Sequence, residues 1–211
     1  PKIRNSRGDR NAEAIEFISK RLSYIYPNGF SLHTKSKYAV SEIIGKHFEK
    51  IEIHSPSFIS KTQSFSSAEV GTIIHKVMEH IDPKRFHDAQ YLHNYMNELV
   101  DKELLLPEEA ELVDISPIIT FANSNLGRRM AAAKVIHRET PFNMLYPTKG
   151  EEVMVQGIID CWFEEQGELI LLDYKTGRVD GGQMAKYQHQ MKLYKKALEV
   201  NLQRTVDETY L

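Results

Sequence analysis

The stretch Gly157–Thr176, GIIDCWFEEQGELILLDYKT, decides the fold. Val153 to Phe163 is β-rich and apolar on both faces, Leu169 to Lys175 is a second apolar run, and Gln166-Gly167 between them is a turn dipeptide. The pattern predicts a β-hairpin with a two-residue loop, a register in which Asp160 faces Asp173. Facing Cβ atoms on antiparallel strands lie about 4.5–5.5 Å apart, so two bare carboxylates placed there repel. A divalent cation removes that conflict. A four-residue loop would keep both carboxylates on one face, whereas a three-residue loop would separate them. Lys175 follows Asp173 by two positions and shares its face, while Tyr174 points to the other. Oxygen ligands of this kind suit Mg²⁺ or Mn²⁺. The same residues also fit a plainer arrangement, an exposed Asp173–Lys175 salt bridge with Asp160 as an ordinary polar strand residue.

Upstream, Ser66 and Glu69 form a capping-box pattern, and Val70, Ile73, Ile74, Val77, Met78 and Ile81 recur at helical spacing. His75 lies roughly 120° from the centre of that apolar stripe, with Gly71 one turn before it on the same flank. A glycine there lets a backbone or ligand approach His75. It equally lets a neighbouring helix pack beside a surface or capping histidine.

Downstream, Met184, Tyr187, Met191, Tyr194 and Leu198 mark one stripe of a helix over Gln183 to Val200, with Gln190 and Tyr194 as i, i+4 neighbours. Lys186, Lys192, Lys195 and Lys196 decorate its other sides, and with Arg178 they make this the most basic stretch of the C-terminal half. Lys, Gln and Tyr side chains commonly contact phosphates, but a core helix with solvated lysines has the same composition.

The whole chain has 211 residues, a length for one domain with a helical appendage, and its 27 Lys+Arg against 29 Asp+Glu advertise no polyanionic partner globally. Locally, residues 1–50 carry net +5 and residues 51–117 net −7, the latter mostly on helix-like segments, Asp88 to Leu106 and Pro107 to Phe121. Asn11 to Tyr26 has helical spacing at Ile15, Ile18, Leu22 and Ile25, ended by Pro27-Asn28-Gly29, and is expected to pack on the main body. Ser31 to Lys37 reads as a loop and Ser41 to Phe48 as a short helix. The chain contains no Gly-x-x-x-x-Gly-Lys-Ser/Thr element, no internal repeat and no apolar run of membrane-spanning length, so a soluble, cytosolic setting is expected. One cysteine, Cys161, excludes a disulfide framework and a four-cysteine cluster supplied by this chain.

In chain order the segments read Gly71-x-x-x-His75, Gly157-x-x-Asp160, Asp173-x-Lys175 and Tyr187-x-x-Gln190-x-x-x-Tyr194. Together with KYAVSEI (Lys37–Ile43) and HRETPF (His137–Phe142), they resemble the RecB-type nuclease domain of the PD-(D/E)XK superfamily, in its AddAB-type helicase-nuclease A-subunit branch. The resemblance implies an α/β fold, a central mixed β-sheet flanked by helices, with a restriction-endonuclease-like core over 37–211 and an N-terminal helical extension over 1–36. It implies a Mg²⁺-dependent deoxyribonuclease of exonuclease type, with Mn²⁺ as substitute, within a cytoplasmic helicase-nuclease that processes DNA double-strand breaks for recombinational repair. The implied partners are DNA and a second, AddB-like subunit, with no membrane; the competing class is a silent module that holds DNA or another protein of the assembly.

By the same resemblance, His75, Asp160, Asp173 and the Tyr174 carbonyl hold the cation. Asp160, Asp173, Lys175 and Gln190 serve catalysis, and Gly71, Thr176, Tyr187 and Tyr194 contact the nucleic acid. Glu139 takes a weak supporting role. The related B-subunit-type nucleases carry four cysteines for an iron–sulfur cluster; with Cys161 alone, no iron–sulfur cluster is expected. Gly177 departs from the family pattern, where Asp often stands.

Overall fold

The structure is a computed structural model that describes residues 7–23, 35, 37–47, 65–148, 152–176 and 181–211. The chain divides into two compact units, Pro1–Ser36 and Lys37–Leu211. In the first, α1 spans Arg7–Leu22, and Ile15, Ile18 and Leu22 on it are exposed rather than buried as the periodicity predicts. The stop signal at Pro27-Asn28-Gly29, most of the Ser31 to Lys37 loop, and Gly177 and Arg178 lie outside the described residues.

The second unit contains a five-stranded mixed sheet built on one long strand. β1 (Lys37–Ala39) leads into α2 (Val40–His47), and after the helices come β2 (Ile136–Pro147), β3 (Glu152–Glu165) and β4 (Glu168–Leu172). α8 (Gly181–Leu202) and β5 (Glu208–Tyr210) complete it. The β3–β4 hairpin has the predicted register: Glu165 pairs with Glu168 and Cys161 with Leu172. Gln166 and Gly167 both adopt positive φ, 53° and 93°. That is what a two-residue turn matched to the right-handed strand twist requires, and glycine takes the more extreme angle without a Cβ clash.

β2 runs antiparallel along β3 from Pro147↔Glu152 to Ile136↔Phe163. β1 (parallel, Lys37↔Met154 to Ala39↔Gln156) and β4 (antiparallel, from Cys161 onward) must therefore share the opposite edge of β3. Neither covers 157–160. The gap between two strands on one edge is where the site forms, and Asp160 stands at its end. Alternation also changes there. Val153, Val155 and Ile159 join one core with Trp162, whereas Cys161 and Phe163 join another, so β3 twists sharply around Asp160.

α2 and α8 cover the first face, with Tyr38, Val40, Ile43, Met191, Tyr194 and Leu198 buried against the strands. The other face packs on α7 (Asn125–Ala132) through Met130. A separate helical core joins α3 (Ser67–His80), α4 (Ala89–Asp101) and α6 (Ser116–Asn123) through Ile73, Val77, Met78, Leu92, Leu99 and Ile118. Tyr174 and Phe121 pack against both this core and the second sheet face. The capping box of α3 forms as predicted, Ser66 Oγ accepting from Glu69 N and Glu69 Oε2 accepting from Ser66 N at 2.7 Å.

Two sequence expectations change. The single helix read over Pro107 to Phe121 is two, α5 (Pro107–Glu111) and α6, because Asp114 Oδ1 takes the Ser116 amide and Pro117 stands in the first turn of α6. The strands β1, β2 and β5 lack a clean alternating signal. β2 carries Pro141 and Pro147, tolerated because its outer edge pairs with no described strand. Among the described residues no helix is long and apolar enough to cross a membrane.

Candidate active site

The site is assembled from three elements. α3 supplies His75, β2 and β3 supply Glu139 and Asp160, and the segment just past β4 supplies Asp173, Tyr174 and Lys175. Beyond the Cys161↔Leu172 pair the hairpin stops its regular ladder, and the chain is held by side chains instead. Asp173 N donates to Tyr210 O at 3.0 Å and Tyr174 N to Asp160 Oδ2 at 2.8 Å. Asp160 and Asp173 thus keep the facing relationship that the loop length predicts.

Asp160 is 7% and Asp173 2% exposed, the two buried charged residues of the described core. Burial first, and then the negative charge of Asp173, push the Asp160 carboxyl up to about 7. Lys175 Nζ lies 2.5 Å from Asp173 Oδ2. That ion pair exists as the plainer reading of the sequence has it, but it is buried, and Asp160 beside it is no ordinary polar residue. Neither oxygen of Asp173 receives an aligned hydrogen bond. A buried carboxylate in that condition is costly unless a cation or a shared proton completes it.

His75 Nε2 lies 3.1 Å from the Tyr174 carbonyl oxygen, an acceptor only, so the proton of that contact belongs to the imidazole. Its Nδ1 faces Asp160 Oδ2 at 3.5 Å and Glu139 Oε1 at 3.7 Å. The His75 pKa is raised, chiefly by the Glu139 carboxylate and against the effect of burial. One ligand atom from each of His75, Glu139 and Asp160 lies within 4.8 Å of the others. Hard oxygens, one imidazole and an unsatisfied buried carboxylate next to them fit a Mg²⁺- or Mn²⁺-type ion.

Glu139 is the residue that sequence reasoning undervalues. The β2–β3 ladder pairs Arg138 with Cys161 and Thr140 with Ile159, but skips Glu139 and Asp160 between them. Glu139 has φ 44°, a left-handed conformation inside a strand. A non-glycine residue there costs roughly 1–3 kcal/mol and marks functional sites more often than chance. Nothing in residue spacing encodes that angle; the HRETPF string is the one available signal.

The remaining sequence candidates fall around this centre. Tyr187 on α8 lies under Lys175, whose Nζ is 5.0 Å from the ring centroid. Gln190 Nε2 donates to Tyr194 OH at 2.7 Å. Tyr194 is 6% exposed with its ring edge-on to Phe142, so it meets the site from the core side, through Gln190, and not as an open surface for a strand. Thr176 is exposed, and its Oγ1 would lie 3.5 Å from a Cβ placed on Gly71, an ordinary contact. Gly157 is the tighter of the two glycines, since a Cβ there would meet Phe142 and Val40 side chains at 2.9 Å.

Comparison with known proteins agrees with this architecture. The family model described as the PD-(D/E)XK nuclease superfamily matches residues 46–211. The A-subunit of an ATP-dependent helicase/nuclease from Alkaliphilus oremlandii is 36% identical over 223 residues, covering 94% of this chain and 18% of that protein. The protein of the same description from Anoxybacillus flavithermus is 35% identical, covering 95% of the chain and 18% of its own length. That of Moorella thermoacetica is 38% identical over 74% of the chain and 12% of its length. The chain thus spans less than a fifth of each of these relatives.

Proposed function

The chain belongs to the PD-(D/E)XK nuclease superfamily, and on that premise we propose that residues 37–211 form a Mg²⁺-dependent deoxyribonuclease domain preceded by a helical extension over 1–36. The reaction is phosphodiester hydrolysis in DNA, of exonuclease type, with Mn²⁺ able to replace Mg²⁺. The observation that carries the reading is the buried, unsatisfied Asp173 beside Asp160, with Lys175 ion-paired to it at the uncovered edge of β3.

His75, Glu139, Asp160 and Asp173 would hold the cation, with the Tyr174 carbonyl beside them. The bound ion would supply Lewis-acid polarisation of the phosphate and a more acidic water. Asp160 is held for this by the Tyr174 amide, which fixes one oxygen and leaves the other for the site. Lys175 keeps its ammonium at the carboxylates through Asp173 and over the Tyr187 ring, placed to offset negative charge developing on the phosphate. Gln190, oriented by Tyr194, presents its amide toward the strand or Lys175. Thr176 and the lysines of α8 offer further phosphate contacts.

Relatives described as helicase/nuclease subunits support placing this domain in a larger cytoplasmic enzyme that works at DNA breaks with a second, AddB-like subunit. An overall charge of −2 is consistent with substrate delivery by the rest of such an assembly. Incubating the chain with linear single- and double-stranded DNA in Mg²⁺, in Mn²⁺ and in EDTA is the direct test. Cleavage that needs the ion and disappears in EDTA is the expected result. Binding without cleavage in either ion would instead favour a silent DNA- or subunit-holding module.

A further inference from the structure

The ligand set draws on two layers with separate cores. His75 belongs to α3, whose apolar stripe is buried with α4 and α6, while Glu139, Asp160 and Asp173 belong to the sheet and its immediate extension. Something has to set the distance between these layers to within a fraction of an ångström, because metal ligands tolerate little error. Tyr174 is one such tie, through its carbonyl at His75.

Arg138 is a second. Its Nη1 donates to Glu79 O at 2.9 Å and to Ile81 O at 2.8 Å, two carbonyls at the C-terminal end of α3. These are among the last carbonyls of a helix, which have no partner within it, and a cation is favoured there by the helix dipole. Arg138 Nε is buried without a hydrogen-bond partner among the described residues, so the side chain is not arranged for its own solvation. In sequence it is the immediate neighbour of Glu139, the left-handed residue whose carboxylate faces His75 Nδ1. Across the strand it pairs with Cys161, the immediate neighbour of Asp160. The other described side chains bonded to this end of α3 come from the helical layer: Tyr95 OH donates to Val77 O, and Tyr91 OH accepts from Asp82 N.

We propose that Arg138 is a positioning residue: it clamps the end of α3 to β2 and so holds His75 at Glu139 and Asp160. This rests on the metal-site reading above. Two diverging N–H groups on one nitrogen reach two carbonyls of one helix end, which a lysine ammonium on a shorter, unbranched stem does less well.

The test measures Mn²⁺ binding to the 211-residue chain without DNA, by the electron paramagnetic resonance of free Mn²⁺, for the wild type, Arg138→Met and Arg138→Lys. Arg138→Met is expected to raise the Mn²⁺ Kd about tenfold or more, the range seen when supports of metal ligands are removed, with Arg138→Lys between it and the wild type. The Mn²⁺ concentration for half-maximal DNA cleavage should rise in parallel, while the rate at saturating Mn²⁺ stays within about twofold. If Arg138→Met does not melt cooperatively, Arg138→Lys alone decides. A wild-type Kd in a folded variant, or a lost rate at saturating Mn²⁺ with Kd unchanged, overturns the clamp. A wild-type chain that takes up no Mn²⁺ overturns the metal site itself and the clamp with it.

Discussion

The backbone amide of Tyr174 donates to Asp160 Oδ2 at 2.8 Å, joining the segment after β4 to the middle of β3 where the regular ladder has ended. The carbonyl of the same residue meets His75 Nε2 at 3.1 Å. One peptide segment therefore aligns a carboxylate on one side and an imidazole on the other, while its neighbours Asp173 and Lys175 supply the remaining charge.

Asp173→Asn keeps the shape of the side chain and removes its charge. DNA cleavage should fall by roughly three orders of magnitude or more, in keeping with loss of a metal ligand and of the partner of Lys175. The metal-free melting temperature should hold or rise by a few degrees, because two adjacent buried carboxylates repel. Cleavage at more than a few per cent of the wild-type rate would sink the assignment.

Acidity should stabilise the metal-free protein across an unusual window. The folded Asp160 carboxyl titrates near 7 against an ordinary value of 3.8, so between those values the native state binds more protons than the unfolded chain. That contribution is full below about 3.8 and is lost as pH rises through about 7. The raised His75 pKa has the same sign, its share being present below 6.5 and lost above the folded value. Urea denaturation in EDTA from pH 5 to pH 8 should show stability falling by on the order of 2 kcal/mol, with most of the slope absent in Asp160→Asn. Saturating Mg²⁺ at pH 8 should restore it by binding the native state. Stability that climbs over this range would contradict the buried, proton-sharing pair.

Glu139 separates conformational strain from ligation. Glu139→Gly relieves the positive φ and should be more stable than Glu139→Ala by about 1 kcal/mol, since only the alanine keeps the Cβ clash. Both should weaken Mn²⁺ binding to a similar degree. Equal stabilities in denaturant titrations would show that the left-handed conformation carries no cost at this position.

The two glycines of the motif should part company on substitution. Gly71→Ala places a Cβ in ordinary contact with Thr176 and gains helix propensity, so stability should rise by about 0.5–1 kcal/mol. Gly157→Ala drives a Cβ to 2.9 Å from Phe142 and Val40 and should cost about 1–3 kcal/mol by overpacking. Thermal melts of both variants check the ordering, and a Gly157→Ala protein as stable as the wild type would contradict the tight packing.

Much of this molecule is determined by local sequence. Loop length and the turn residues Gln166-Gly167 set the hairpin register, and register with a period of two is enough to put Asp160 opposite Asp173 and Lys175 on the same face. The 3.6-residue repeat and the capping box define α3 and the flank on which His75 stands. Tertiary structure alone decided the rest. That β1 and β4 divide one edge of β3 and leave 157–160 uncovered depends on pairings between segments over a hundred residues apart. The left-handed Glu139, the burial of Tyr194 and the reach of Arg138 to the end of α3 likewise follow from how the layers meet. Periodicity reports which way a side chain points within its own element. The distance between a helix and a sheet is set by the packing of all the elements together, and no single segment contains it.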